Sequence, residues 1–146
     1  FNSKEFQMII RPFSLADTEQ TIALWRECEL VVSHNDPVKD IQRKMKVDPE
    51  LFLVGERDGQ VIATAMAGYE GHRGWIYYLA VSSNHRHQGL GRAIVHEAEN
   101  LLLAKGAPKI DLMVRSTNTE VISFYQSLGY ATEPVTVMGK RLIADT

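Results

Sequence analysis

The chain has 146 residues, a formal net charge of −2 at neutral pH and one cysteine. That length suits one domain around one core, and the slight acidity argues against a nucleic-acid partner. Cys28 alone excludes an intrachain disulfide, and a reducing cytosol is the simplest home; no apolar run nears the ~18 residues of a membrane span.

Residues 1–6 carry no signal-peptide pattern. Residues 6–11, with two isoleucines, predict a first strand. Ser14 and Asp17 fit a capping box, and a helix is expected from there to about residue 30. Asp36-Pro37 restarts a helix that runs to about residue 46, with Asp as N-cap and Pro at its first position. Residues 51–57 and 60–69 read as strands joined by Asp58-Gly59, a two-residue hairpin signal. A glycine-rich turn over 68–74 leads into a third strand of this meander, residues 75–81.

After a polar turn comes Arg86-His87-Gln88-Gly89-Leu90-Gly91, and then a helix from about 90 to 105. Leu90, Ile94, Ala98, Leu101 and Leu102 recur every three or four residues, an amphipathic stripe for a sheet face. Gly106 suits the residue just past its end. Alternating Ile110, Leu112 and Val114 predict a strand over 109–115. Asn118 opens a last helix that Gly129 ends, and residues 130–142 are expected to add one or two strands. The fold class is α+β. The sheet is mixed, with roughly six to seven strands and about four flanking helices, and residues 75–115 form a parallel strand–helix–strand crossover.

A glycine-bearing turn between a buried strand and a helix start is a device for holding an anion. The first N–H groups of a helix have no intrahelical partner, and the helix dipole adds positive charge there. Residues 86–92 are therefore the candidate phosphate cradle. No Gly-Lys-Ser/Thr follows, so this is not a nucleotide P-loop; G-x-G-x-x-G is absent, so it is not a dinucleotide fingerprint. The five histidines are too scattered for metal-ligand spacing, and no metal is expected.

Arg86-x-x-Gly89-x-Gly91, preceded by Tyr78-Leu79-Ala80-Val81 and followed by the run from Asn118 to Tyr125, Gly129 and Tyr130, is a specific combination. On these motifs the chain resembles the GNAT superfamily of acetyl-CoA-dependent N-acetyltransferases, and within it the small bacterial proteins of the YpeA type. The resemblance covers essentially the whole chain, residues 1–146, as one domain. It implies acetyl-CoA as co-substrate and an amine acceptor, small molecule or peptide, and it allows a homodimer; neither a membrane nor nucleic acid is expected as a partner. It also implies that Arg86, His87, Gln88, Gly89, Leu90, Gly91 and Arg92 wrap the CoA pyrophosphate. Leu79, Ala80 and Val81, at the end of a bulged strand, would face the pantetheine arm, which slots in where the next strand splays away. Asn118 would contact that arm, and Tyr125 would protonate the leaving thiolate.

Direct transfer needs an oxyanion stabilised by N–H donors and a neutral amine. A lysine side chain, with a pKa near ~10.4, needs more help than an α-amine near ~8. The general base stays open among Glu70, His72, Tyr69, Tyr77, Tyr78, Glu29, His34 and a water relay. The alternative reading is a non-catalytic acyl-CoA-binding sensor of the same fold. Phosphoryl transfer is disfavoured by the missing Lys and acidic metal ligands.

Overall fold

The computed structural model describes residues 8–145. One five-stranded sheet carries the fold, in the spatial order β1-β2-β3-β4-β5. The strands are β1 (Ile9–Pro12), β2 (Phe52–Arg57), β3 (Gln60–Tyr69), β4 (Gly74–Val81) and β5 (Ile110–Leu112). The first four pair antiparallel, and β4 pairs β5 in parallel. The expected first strand began at Phe6, which lies outside the described residues. The Asp58-Gly59 turn is as expected, with positive φ at both residues, 52° and 77°, as a type I′ hairpin requires.

Helices cover both faces: α1 (Thr18–Glu27), α2 (Pro37–Lys44), α3 (Leu90–Ala104) and α4 (Thr119–Ser127). Strand alternation divides the sheet into two cores. Leu53, Ala65, Ala67 and Ile76 pack with Ile94, Ala98 and Leu102 of α3 and with Tyr125 of α4. Phe52, Val54, Met66 and Ala80 pack with Ile22 and Trp25 of α1 and Ile41 of α2. Asp36 caps α2 by accepting the Val38 N–H at 2.9 Å. Asn118 caps α4 through the Val121 N–H at 3.3 Å. Gly106 and Gly129 follow α3 and α4 with φ of 95° and 97°, the left-handed exit expected of them. The Ser14 N–H donates to the Asp17 carboxylate at 2.9 Å, in front of α1.

The sheet has fewer strands than the sequence predicts. Residues 131–144 form no strand. Val135 and Val137 alternate as strand residues do, yet they are 72% and 65% exposed. Pro134 interrupts the run, and β5, only three residues long, offers a short edge to pair with. The segment is instead fastened at its end. The buried Asp145 carboxylate accepts from the Asp36 N–H at 2.8 Å and pairs with Arg43 and Arg141 at 2.6 and 2.9 Å. These three donors hold the Asp145 carboxyl well below the ordinary range.

Candidate active site

The site is organised by an irregularity in β4. Thr64 of β3 faces Ala80 and Met66 faces Tyr77, so Tyr78 and Leu79 together oppose Ala65. This is a β-bulge, and it reverses which residues face which core. Ile76, Leu79 and Val81 meet the α3–α4 side, whereas Tyr78 and Ala80 meet the α1–α2 side. Tyr78 holds φ at 52°, a left-handed conformation unusual for an aromatic residue.

A buried polar network holds the bulge. The Thr64 hydroxyl donates to the Tyr78 carbonyl at 2.8 Å and accepts from the Trp25 indole at 2.9 Å. The Trp25 and Tyr78 rings stack with centroids 3.8 Å apart. The Tyr78 hydroxyl donates to Asp40 of α2 at 2.6 Å. Burial and this carboxylate push the phenol well above its ordinary pKa. Trp25, which the sequence leaves between core and cleft, is core: it is fully buried.

Pairing of β4 with β5 covers only Gly74, Trp75 and Ile76. Beyond Ile76 the β5 side of β4 runs unpaired past the bulge to Leu79, Ala80 and Val81. The predicted strand over 109–115 is correspondingly short, because its second half leaves the ladder after Leu112. A slot open on one edge and bulged at its middle is suited to an extended, strand-like ligand.

The slot leads to the start of α3. Gly89 is its N-cap, with φ 77° and no side-chain cap bond, and His87 before it is also left-handed at 63°. A Cβ added at Gly89 would meet nothing within 4 Å, so the turn faces open space. At Gly91 a Cβ would lie 3.2 Å from Phe124 and 3.6 Å from Val81. There the absence of a side chain lets α3, α4 and the end of β4 close together. Leu90 is buried and anchors the turn. Arg86 is exposed, and its Nε donates to the Val81 carbonyl at 3.4 Å. Gln88 accepts from Arg57 at 3.1 Å. Arg92 lines an open groove with His96, Glu99 and Leu128.

Tyr125 is 6% exposed, edge-on to Phe124 and Tyr130 at 5.2 and 5.4 Å, in the cluster against which Leu79 and Val81 pack. Burial alone pushes its phenol further above its ordinary pKa. Asn118 is the N-cap of α4, and among the described residues its amide nitrogen has no hydrogen-bond partner.

Several candidate bases are committed elsewhere. The Glu70 carboxylate accepts the N–H groups of His72 and Arg73 at 2.9 and 2.6 Å in the β3–β4 turn. Tyr69 lies in the same turn region, its hydroxyl directed at the Gly71 and Gly106 carbonyls. Glu29 and His34 are exposed. Asp40 and Thr64 were not among the sequence candidates. An aspartate on a polar helix face and a threonine in a buried strand carry no signal until the bulge brings them together. Among the described residues no group of three or more His, Cys, Asp or Glu side chains is arranged to hold a metal ion, and no helix is long and apolar enough to cross a membrane.

Known proteins resemble this chain in sequence and fold. The acetyltransferase (GNAT) family model matches residues 18–130, from the start of α1 to just past α4. Acetyltransferase YE1169 of Yersinia enterocolitica is 46% identical over 138 residues, which are 94% of this chain and 98% of that protein. Acetyltransferase SG1711 of Sodalis glossinidius is 48% identical over 139 residues, with the same shares. The structure of AAC(6')-Iy in complex with the bisubstrate analog CoA-S-monomethyl-acetylneamine superposes with a TM-score of 0.75 at 20% identity, covering 93% of this chain and 99% of that one. The last likeness speaks for the fold alone. With the family match spanning the bulged strand, the glycine turn and the capped α4, the chain belongs to the acetyltransferase (GNAT) family.

Proposed function

We propose that the protein, residues 1–146 acting as one domain, moves the acetyl group of acetyl-CoA to a primary amine by direct attack in a ternary complex. The observation that carries this reading is the unpaired, bulged half of β4, whose end at Val81 lies beside Gly91 at the start of α3, a start with no side-chain cap. A phosphate group at one end and an extended arm at the other match that continuous path.

In this reading the pyrophosphate lies on the backbone of residues 86–92, with Arg86 and Arg92 adding charge. The arm runs beside Leu79, Ala80 and Val81, and the amide of Asn118 reaches it from α4. N–H groups freed at the bulge face the thioester oxygen as it becomes an oxyanion. The amine lone pair attacks the carbonyl carbon, the C–S bond breaks, and the electron pair leaves on sulfur. Tyr125, a phenol protonated at neutral pH, supplies the thiolate proton.

Incubation with acetyl-CoA and a panel of amines and peptides, followed by free thiol, tests the reading. Thiol release that depends on the amine supports it. CoA binding without thiol release for any acceptor is the behaviour of an acyl-CoA sensor and removes it.

A further inference from the structure

We propose that Tyr78 and Asp40 form the proton relay for the acceptor amine: the Tyr78 oxygen takes the amine proton and passes its own to Asp40. The inference rests on the acetyl-transfer reading above.

Tyr78 is one of the two bulged residues of β4, its ring on the α1–α2 side of the sheet, and its backbone is left-handed there. Left-handed backbone at a bulky residue costs free energy and persists only where surroundings enforce it. Three contacts enforce it: the Thr64 hydroxyl on the Tyr78 carbonyl, the Trp25 ring against the Tyr78 ring, and Asp40 on the hydroxyl. Each fixes a different part of one residue. The phenol proton is committed to Asp40 at 2.6 Å, so the lone pairs of the phenol oxygen are left to accept an N–H. Arg43 holds the other oxygen of Asp40 at 3.3 Å and is held in turn by Asp145 at 2.6 Å. Asp40 is therefore oriented from both sides.

Asp145 also acts on Tyr78, but Arg43, Arg141 and the Asp36 N–H occupy its carboxylate, and Glu70 is remote. Glu70 lies in the turn before Gly74, itself four residues before Tyr78, or roughly 13 Å along a strand.

The step balances. The amine nitrogen forms the C–N bond at the thioester carbonyl carbon, and the carbonyl π pair moves to oxygen. One N–H proton passes to the Tyr78 oxygen as the Tyr78 proton passes to Asp40. Collapse of the oxyanion breaks the C–S bond, and Tyr125 protonates the sulfur. Asp40 returns its proton to solvent, and Tyr125 regains one.

The test compares wild type with Tyr78→Phe, Asp40→Asn and Asp40→Glu. Three quantities are read: kcat and KM for an amine that wild type acetylates, affinity for CoA, and affinity for an analogue joining the CoA sulfur to an amine through –CH2–CO–NH–. The amide N–H of that analogue stands where the amine N–H would meet Tyr78. Tyr78→Phe and Asp40→Asn should each lower kcat about a hundredfold, with KM and CoA affinity within about twofold. Tyr78→Phe should weaken the analogue roughly tenfold. Asp40→Glu should recover at least about a tenth of the wild-type rate, because a carboxylate is restored. Turnover within about twofold of wild type in Tyr78→Phe overturns the relay. Equal loss of CoA and analogue affinity in Tyr78→Phe and Asp40→Asn also overturns it, since the pair then only keeps β4 in shape. A wild-type protein that releases no thiol with any amine removes the transfer reading itself, and the relay falls with it.

Discussion

The Thr64 hydroxyl stands between the Trp25 indole and the Tyr78 carbonyl, 2.9 Å from one and 2.8 Å from the other. One buried hydroxyl thus satisfies a core donor and fixes the backbone at the bulge. Thr64→Val keeps the shape and removes both bonds. The indole N–H of fully buried Trp25 then has no acceptor. We expect a loss of about 2–3 kcal/mol in chemical denaturation and weaker CoA binding as the bulge relaxes. A loss below about 0.5 kcal/mol would mean that the bulge holds without the network.

Tyr125 lends itself to a cleaner separation of stability from catalysis. No hydrogen bond ties its hydroxyl to another described residue, and burial alone raises its pKa. Tyr125→Phe should therefore leave unfolding free energy within about 0.5 kcal/mol. It should lower kcat at least tenfold, as loss of a general acid does, with CoA affinity near normal. Unchanged turnover would make Tyr125 a core residue only.

Gly89 tests the phosphate cradle. Its φ of 77° favours glycine, and open space faces its missing Cβ. Gly89→Ala carries only the backbone cost, about 1–2 kcal/mol. Gly89→Asp adds a negative charge where the pyrophosphate is expected, and CoA affinity should fall at least about a hundredfold below that of Gly89→Ala. Equal affinities in the two variants, by titration calorimetry, would move the pyrophosphate elsewhere.

Acid stability should report on Arg11 and Asp17. The guanidinium bonds both carboxylate oxygens, at 2.7 and 2.8 Å. Arg11 first, and the Ser14 N–H after burial is offset, lower the Asp17 pKa below its ordinary 3.8. A depressed carboxylate contributes stability that is fully present above the unfolded value and is lost as pH falls through the folded one. Asp17→Asn should cost about 1–3 kcal/mol at pH 7. The difference from wild type should shrink below about pH 4. A difference independent of pH in denaturation between pH 7 and pH 2 would point to packing alone.

Much of this was legible in the sequence because it rests on local chemistry. The caps at Asp36 and Asn118, the Asp58-Gly59 hairpin and the left-handed exits at Gly106 and Gly129 are set by residues within a few positions of each other. The glycine turn at 89–91 was legible for the same reason. The sheet's edge was not: Val135 and Val137 alternate correctly but find no partner strand, and alternation says nothing about whether a partner exists. The order of contacts at the bulge was equally hidden. Trp25, Asp40, Thr64 and Tyr78 come from four separate elements, and only the tertiary fold brings them within bonding distance.

In the proposed reaction acetyl-CoA loses its acetyl group to an amine in this site. It is tested most directly by measuring released CoA thiol and acetylated amine together, by thiol titration and mass spectrometry, in one reaction with an amine panel. One thiol is expected for each new acetyl amide with at least one amine, and both should be lost in Gly89→Asp. Saturable CoA binding with no acetyl amide formed from any amine would contradict it.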